Sequence, residues 1–152
     1  MDENLTSDYE EALRLVRLEK PDIKKVLALL NQAISEGDAR ASYALGTWYL
    51  HGEYIEKDVD QALSLLMFAA ASNVPDAIFD LAVCYEEGTG VEKSELSAFT
   101  NYMKGALLGD AQSYFEVGRC FYYGIGTNKN IEVANAWLDK AAELGVQDEK
   151  PR

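Results

Sequence analysis

Residues 41–52 read ASYALGTWYLHG, and the pattern of this segment returns twice more at a spacing of 36 residues. Six columns of similar residues recur at this interval. The columns are Gly52, Gly88 and Gly124; Ala62, Ala98 and Ala134; Gly37, Asn73, Gly109 and Gly145; Tyr49, Tyr85 and Phe121; Leu45, Leu81 and Val117; and Gly46, Ala82 and Gly118. So many columns in one register indicate a tandem repeat.

Each repeat has the pattern of two helices. In the first, Ala41, Leu45, Trp48 and Tyr49 follow the helical period of three and four. We expect this helix to end at Gly52, because the residue after a last turn often takes a positive φ, which glycine adopts without penalty. A second helix is predicted to begin near Asp60, Leu96 or Glu132 and to stop at Asn73, Gly109 or Gly145. No window alternates strictly, as a half-buried strand would, so the predicted fold class is all-α.

Small residues mark the places where helices are expected to approach closely. Gly46, Ala82 and Gly118 would let the second helix of a hairpin lie against the first. The pairs Ala69-Ala70, Gly105-Ala106 and Ala141-Ala142 would let the following hairpin dock. One hairpin cannot bury its apolar faces alone, so the hairpins are expected to stack.

These columns resemble the Sel-1-like repeat family, a relative of the tetratricopeptide repeat with a longer loop inside each hairpin. The matching residues are Ala41, Leu45, Gly46, Tyr49, Gly52, Ile55, Asp58, Ala62, Ala69 and Ala70; then Ala77, Leu81, Tyr85, Gly88, Gly90, Val91, Ala98, Ala106 and Gly109; then Gly118, Gly124, Gly126, Ala134, Trp137, Ala141, Ala142 and Gly145. The resemblance implies a right-handed α–α superhelix, or α-solenoid, of stacked antiparallel hairpins with about eight helices. Tyr54 departs from the family pattern by replacing a loop glycine, and Ser94 and Asn130 replace the loop aspartate, which could loosen those loops.

The repeats divide the chain into segments. We expect one repeat domain over residues 1–145, followed by a polar C-terminal tail over residues 146–152. Within the domain, residues 38–75, 76–109 and 110–145 form the three Sel-1-like repeats. Residues 7–37 form a degenerate N-terminal capping hairpin, whose two helices are separated at Pro21, where a helix usually stops.

The residues offer no pattern for catalysis, and we predict that the chain is not an enzyme and binds neither a cofactor nor a metal. His51 is the single histidine, so a catalytic triad or a histidine-containing metal cluster lacks its parts. The segment 88–94 resembles a phosphate loop at first sight, but Glu92 stands where glycine is needed. Cys84 and Cys120 are one repeat apart, too far for a disulfide between equivalent helices, and are predicted to be buried thiols. Secreted members of the family pair cysteines between the two helices of one hairpin. This sequence has no such pair, so the resemblance implies a reducing compartment.

The charge narrows the class of partner. The 152 residues include 14 basic and 26 acidic ones, a formal net charge of −12. Such a chain repels phosphate backbones and anionic lipid, so we expect neither nucleic acid nor a membrane as a partner. A basic protein or peptide fits the charge better. Without an apolar run for a signal or a membrane span, the sequence predicts a cytoplasmic location.

In such a stack the first helix of every hairpin lines the concave side, and the resemblance implies that this groove holds peptides or partner surfaces. The predicted partner-binding residues are Arg40, Tyr43, Thr47, Leu50, Phe79, Val83, Glu86, Phe115, Arg119 and Tyr122. Their aromatic rings could anchor a partner. Tyr43, Phe79 and Phe115 share one column, however, and the alternative is that they are ordinary core.

We therefore expect a non-catalytic interaction module, an adaptor or scaffold. The alternative is a small acidic cytosolic inhibitor or immunity protein that neutralises a basic toxin or nuclease, because opposite charge speeds association. The tail 146–152 supplies little capping. The last helix is therefore expected to expose Val133, Trp137 and Leu144, which suggests an end-to-end homodimer through that helix.

Overall fold

The computed structural model describes residues 6–148 and residue 151, and within them every regular element is an α-helix. The predicted tail therefore lies partly outside the described residues. The described part holds eight helices. They are α1 (Asp8–Val16), α2 (Ile23–Ser35), α3 (Ala39–His51), α4 (Val59–Ala71), α5 (Pro75–Glu87), α6 (Glu95–Leu107), α7 (Ala111–Tyr123) and α8 (Ile131–Glu143). The all-α prediction is confirmed, and the second helices begin one residue earlier than expected.

The described residues form two compact units, which divide between Val74 and Pro75. In the first unit, α1 and α2 form one hairpin and α3 and α4 the next, and α2 packs against α3. In the second unit, α5 and α6 pair, α7 and α8 pair, and α6 packs against α7. Consecutive helices pack against one another in both units, as hairpins with exposed apolar faces require.

A column of N-caps begins the second helix of every hairpin. Asp22, Asp58, Ser94 and Asn130 lie 36 residues apart, and each side chain accepts a hydrogen bond from the backbone amide three residues later. Aspartate, serine and asparagine serve almost equally well in this role. The substitutions at Ser94 and Asn130 therefore keep the helix starts capped.

In the hairpins α3–α4, α5–α6 and α7–α8, the cap residue also closes the hairpin through its backbone amide. The backbone amide of Asp58 donates to the carbonyl of Tyr49 at 2.9 Å, and that of Asn130 donates to the carbonyl of Phe121 at 2.8 Å. Each bond joins the end of a first helix to the start of its partner, which fixes the two helices as antiparallel neighbours. The intervening loop contains a left-handed residue, which is Tyr54 with φ of 64° in the first unit and Gly126 with φ of 68° in the second.

Close helix approach occurs where the small residues predicted it. A Cβ built on Gly118 would lie 2.7 Å from Leu138 Cγ, and one built on Gly46 would lie 3.2 Å from Leu66. Between hairpins, a Cβ on Gly105 would collide with the hydroxyl of Ser113. Glycine at these positions lets the helix axes approach closely enough to bury the leucines.

Candidate partner-binding surface

The ten predicted binding residues lie on the first helices of three hairpins. Four lie on α3 in the first unit, three on α5 and three on α7 in the second unit. On α3, Arg40 is exposed, whereas Tyr43, Thr47 and Leu50 are half-buried. On α5 and α7, Phe79, Val83, Glu86, Arg119 and Tyr122 are half-buried, and Phe115 is buried.

Arg40 already makes several contacts within the first unit. Its guanidinium donates from Nε and Nη2 to the two carboxylate oxygens of Asp38, at 3.0 and 2.8 Å. It also lies 4.5 Å above the ring of Tyr9, and Glu10 is 3.9 Å away. The hydrogen bond from Arg40 holds the pKa of Asp38 below its ordinary value. A partner that used Arg40 would therefore compete with its own helix cap.

Thr47 has a similar restriction, because its hydroxyl donates to the carbonyl of Ala44 at 2.8 Å. That bond lies within α3 and occupies the one proton the side chain can donate. The α3 surface thus offers a partner mainly the half-buried side chains of Tyr43 and Leu50.

In the second unit, Glu86 and Arg119 form a polar network between α5 and α7. Arg119 Nη2 lies 2.6 Å from Glu86 Oε1, and Arg119 Nε lies 2.6 Å from Glu116 Oε2. The hydroxyl of Tyr102, on α6, donates to Glu86 Oε1 at 3.1 Å. One guanidinium thus sits between two carboxylates, and the network joins three helices from two hairpins.

Burial and the neighbouring charges shift the pKa values of Glu86 and Arg119 in opposite directions, and the effect of the charges is larger. Burial alone raises the pKa of Glu86, but the hydrogen bond and positive charge of Arg119 outweigh it and lower the pKa. Burial likewise disfavours the charged form of Arg119, and its two carboxylate partners more than restore it, so its pKa is raised. Burial, followed by the charge of Glu86, raises the pKa of Tyr102. Near neutral pH Glu86 is therefore a carboxylate, Arg119 keeps its positive charge and the phenol of Tyr102 is neutral.

Two predicted anchors, Phe115 and Phe79, contribute to the core fully or in part. Phe115 is only 9% exposed and belongs to a cluster with Leu138 and Ala141, so the structure corrects its assignment as a surface anchor. Phe79 is half-buried, and its ring centroid lies 5.6 Å from that of Tyr102. The alternative reading of this aromatic column, as core packing, describes Phe115 fully and Phe79 in part.

An aromatic pair lies at the end of α7. Tyr122 is half-buried and Tyr123 is exposed, and their ring centroids lie 5.0 Å apart. Sequence reasoning missed Tyr123, together with Tyr102 and Glu116. The fraction of each side chain that solvent reaches depends on neighbouring helices, and the repeat columns alone do not report it.

The outer end of the second unit is more polar than expected. Trp137 and Val133 are half-buried, with the Trp137 ring 5.3 Å from that of Tyr114, and Leu144 is exposed. Phe99 and Met103 on α6 pack into the cluster that includes α7, whereas the equivalent positions on α8 are Asn135 and Asp139, both exposed. Helix α8 therefore lacks the apolar residues with which α6 receives the next hairpin.

The tail also covers part of this end. Val146 is half-buried against the cluster of Phe115, and the side-chain amide of Gln112 donates to Asp148 Oδ2 at 2.6 Å. Among the described residues, no group of three or more metal-ligating side chains comes together. Within residues 6–148, every helix is too short or too polar to cross a lipid bilayer.

Comparison with known proteins agrees with the repeat register. The pattern of the Sel1 repeat matches residues 39–74, 75–110 and 111–146. The chain belongs to the Sel1 repeat family. Sel1 repeats are generally protein–protein interaction modules, and the family fold is a non-catalytic one. No curated protein matches the chain by sequence.

Solved structures of Sel1 repeat proteins share the fold. A Sel1 repeat protein from Oxalobacter formigenes is 33% identical, with a TM-score of 0.75, over 78% of this chain and 91% of that one. A protective antigen from uropathogenic Escherichia coli is 28% identical, with a TM-score of 0.86, over 91% of this chain and 30% of that one. An immunity protein from Pseudomonas aeruginosa is 23% identical, with a TM-score of 0.59, over 91% of this chain and 51% of that one, a likeness of fold alone.

The three Sel1 repeats correspond to the hairpins α3–α4, α5–α6 and α7–α8. The hairpin α1–α2 precedes the matched region, yet it carries Asp22 and Gly37 in the repeat register. All ten predicted binding residues fall within the matched Sel1 repeats.

Proposed function

We propose that this Sel1 repeat protein is a non-catalytic interaction module that binds a basic segment of a partner protein on the first helices of its second unit. The observation that carries this proposal is the charge of those helices. Helix α5 holds Asp76, Asp80, Glu86 and Glu87 and no basic residue, and α7 holds one acidic residue and one arginine. That arginine is already shared between two carboxylates. The surface therefore presents negative charge to a partner.

Aromatic and aliphatic side chains accompany this charge. Val83 and Tyr122 are half-buried and Tyr123 is exposed, so each keeps some apolar surface in contact with solvent. Rigid aromatic rings supply contact area at a low entropic cost, while opposite charges steer the encounter. The ligand that fits is a peptide segment in which lysine or arginine alternates with an apolar anchor.

The test uses synthetic peptides of that type, titrated against the full chain by calorimetry. The variant D76N/E87Q removes two negative charges from α5, and the control E132Q/E143Q removes the same number from α8. All four residues are exposed, so neither double variant disturbs the core. We expect D76N/E87Q to weaken binding about 5- to 30-fold, since each of its two surface charge contacts contributes roughly 0.5–1 kcal/mol, and the control to change it by less than about twofold.

Two results would contradict the proposal. Equal weakening by both double variants would mean that the peptides respond to net charge alone. If peptides whose lysines and arginines are replaced by glutamate bind with equal affinity, the partner does not need to be basic. A rise in salt from about 50 to 300 mM should weaken the expected complex, because the charges on these helices are exposed or half-buried.

The second candidate is a cytoplasmic inhibitor or immunity protein for a basic toxin or nuclease. The net charge of −12 supports it, and Cys84 and Cys120, which are free thiols, suit a reducing compartment. An inhibitor should block the catalytic site of its target, and its association rate should reach about 10⁸ M⁻¹s⁻¹ at low salt and fall steeply as salt rises. Growth of cells that express a basic nuclease together with this chain measures the difference, since an adaptor would leave the nuclease active.

End-to-end pairing through α8 is a weaker proposal. Ile131 and Leu144 are exposed there and would supply apolar area. Asn135 and Asp139 stand where α6 has Phe99 and Met103, which reduces the apolar area that two α8 helices could bury.

A further inference from the structure

The turn between α1 and α2 carries a concentration of positive charge. Residues 14–25 read RLVRLEKPDIKK, and they hold five of the 14 basic residues of the chain. All five are exposed. Because α1 and α2 form a hairpin, the end of α1 and the start of α2 lie at the same end of it. Five basic and two acidic residues give this segment a net charge of +3, in a chain whose net charge is −12.

Two of the five cations are already partly neutralised by Glu11. Arg14 donates from Nε and Nη2 to the two carboxylate oxygens of Glu11, at 2.9 and 2.6 Å. The hydrogen bond from Arg14 lowers the pKa of Glu11, and the charge of Lys25 lowers it further. Arg14 and Lys25 therefore share one carboxylate within the hairpin.

The other three cations have no such partner. Among the described residues, no carboxylate forms an ion pair with Arg17, Lys20 or Lys24. Leu18 lies between the first two in the chain and is 51% exposed. We call Arg17, Leu18, Lys20 and Lys24 the basic tip. It combines three unpaired positive charges with one accessible apolar side chain.

The fold does not favour a cation at the start of α2. The helix dipole places partial positive charge at a helix N-terminus, so acidic residues stabilise that end and lysine destabilises it. The other second helices follow this rule, with Asp60, Glu95 and Glu132 in their first turns. The first turn of α2 has no acidic residue and carries Lys24 and Lys25 instead. Helix stability therefore does not account for Lys24, whereas recognition of an anionic group does.

The surroundings of the basic tip indicate what kind of anion it can accept. Asp8, Glu10 and Glu11 lie in the first turn of α1, at the opposite end of a nine-residue helix. Such a helix is about 13 Å long, little more than one Debye length of about 8 Å at physiological salt. An extended polyanion, such as a nucleic acid or an anionic membrane, would also meet these carboxylates and the net charge of −12. A short acidic segment can contact the basic tip alone.

We propose that the basic tip binds a short acidic segment of a partner protein, in which aspartate or glutamate flanks an apolar side chain. The carboxylates pair with Arg17, Lys20 and Lys24, and the apolar side chain covers the exposed part of Leu18. Opposite charge steers the encounter, and the contact with Leu18 distinguishes such a segment from a free anion. Exposed contacts are individually weak, so we expect a dissociation constant of about 50–500 µM. The basic tip lies on the first unit, so this inference does not rest on the function proposed above for α5 and α7.

The experiment follows the fluorescence anisotropy of a labelled synthetic peptide, EDLEDLED, as the full chain is added. The variant R17Q/K24Q removes two charges from the basic tip, and the control K57Q/K129Q removes the same number from exposed loop positions. The two variants have the same net charge. Thermal unfolding shows whether each is folded, and R17Q/K24Q should be no less stable than the unmodified chain, because Lys24 opposes the dipole of α2.

We expect R17Q/K24Q to weaken binding of the peptide about 5- to 30-fold, since it removes two exposed charge contacts, and the control to change it by less than about twofold. A peptide with its leucines replaced by serine should bind at least about threefold more weakly. D76N/E87Q, which tests the surface of α5, should not weaken binding of the acidic peptide. The two proposals can therefore fail independently.

Three results would overturn this inference. Equal weakening by both double variants would mean that the peptide responds to net charge alone. Absence of binding at a chain concentration of about 1 mM would exclude the expected affinity. Sedimentation of the chain with vesicles of phosphatidylserine and phosphatidylcholine, lost in R17Q/K24Q, would make an anionic membrane the occupant of the basic tip instead of a protein segment.

Discussion

Gly126 offers a sharp test of how the second unit is assembled. It lies in the loop between α7 and α8 with φ of 68°, and a Cβ built on it would fall 2.7 Å from the backbone carbonyl carbon of Glu95 and 2.7 Å from Phe99 Cβ. Both of those residues belong to α6, in the preceding hairpin. Gly124 is the matched control, because its φ is 74° but its added Cβ would have no neighbour closer than 3.5 Å.

The two substitutions to alanine share one cost and differ in another. Forcing alanine into the left-handed region costs about 1–2 kcal/mol at either position. Gly126→Ala adds a collision with backbone atoms, which cannot rotate away as a side chain can, and overpacking of this kind costs about 1–3 kcal/mol. We therefore expect a loss of about 1–2 kcal/mol for Gly124→Ala and about 2–5 kcal/mol for Gly126→Ala.

The assay is urea unfolding followed by the fluorescence of Trp137, which lies in the second unit, in a chain where Trp48→Phe removes the signal of the first. A local reporter is needed because repeat proteins can unfold in parts. If both alanine variants lose the same free energy of unfolding, α6 does not press against this loop, and the stacking of the two hairpins in the second unit is wrong.

Three further predictions follow from other parts of the structure. Glu86→Gln should cost about 1–2 kcal/mol at pH 7, since it removes one partner of half-buried Arg119. The pKa of Glu86 is lowered on folding, so this contribution is present above its unfolded value of about 4.3 and is lost as pH falls through the folded pKa. The difference between the two unfolding curves should vanish toward pH 2, and a difference that does not change with pH would contradict the ion pair. Gly118→Ala should leave the chain about 1–3 kcal/mol less stable than Gly46→Ala, because both gain helix propensity but only Gly118 meets a leucine at 2.7 Å; equal melting temperatures would oppose this. Burial raises the pKa of Cys120 to about 12, so a thiol reagent at pH 8 should label it at least about a hundredfold more slowly in the folded chain than in urea, and rapid labelling without denaturant would show that the site is open.

The helices and their order could be predicted because their signals are local. A cap such as Asp58 and a left-handed residue such as Asn73 act on backbone groups within a few residues. Their spacing of 36 residues then sets the register without knowledge of any distant contact. The clearance at Gly118 was also predictable, since a small residue in a repeated column signals a close helix approach.

The binding surface was less predictable, because exposure depends on atoms brought from elsewhere in the chain. Phe115 and Tyr122 lie on the same helix, yet the first is buried and the second keeps some exposure to solvent. Arg119 could be assigned to the surface, but its pairing with Glu86, 33 residues away, requires the helices to be in place.

The sequence by itself determined the helical repeat, the helix ends, the family and the acidic character of the chain, since each depends on residue type and spacing. Tertiary structure alone decided which side chains remain accessible, which charges neutralise one another and which cations stay unpaired at the turn between α1 and α2. The physical reason is range: caps and periodicity act within a few residues, whereas burial and ion pairing depend on neighbours that only the folded chain brings together.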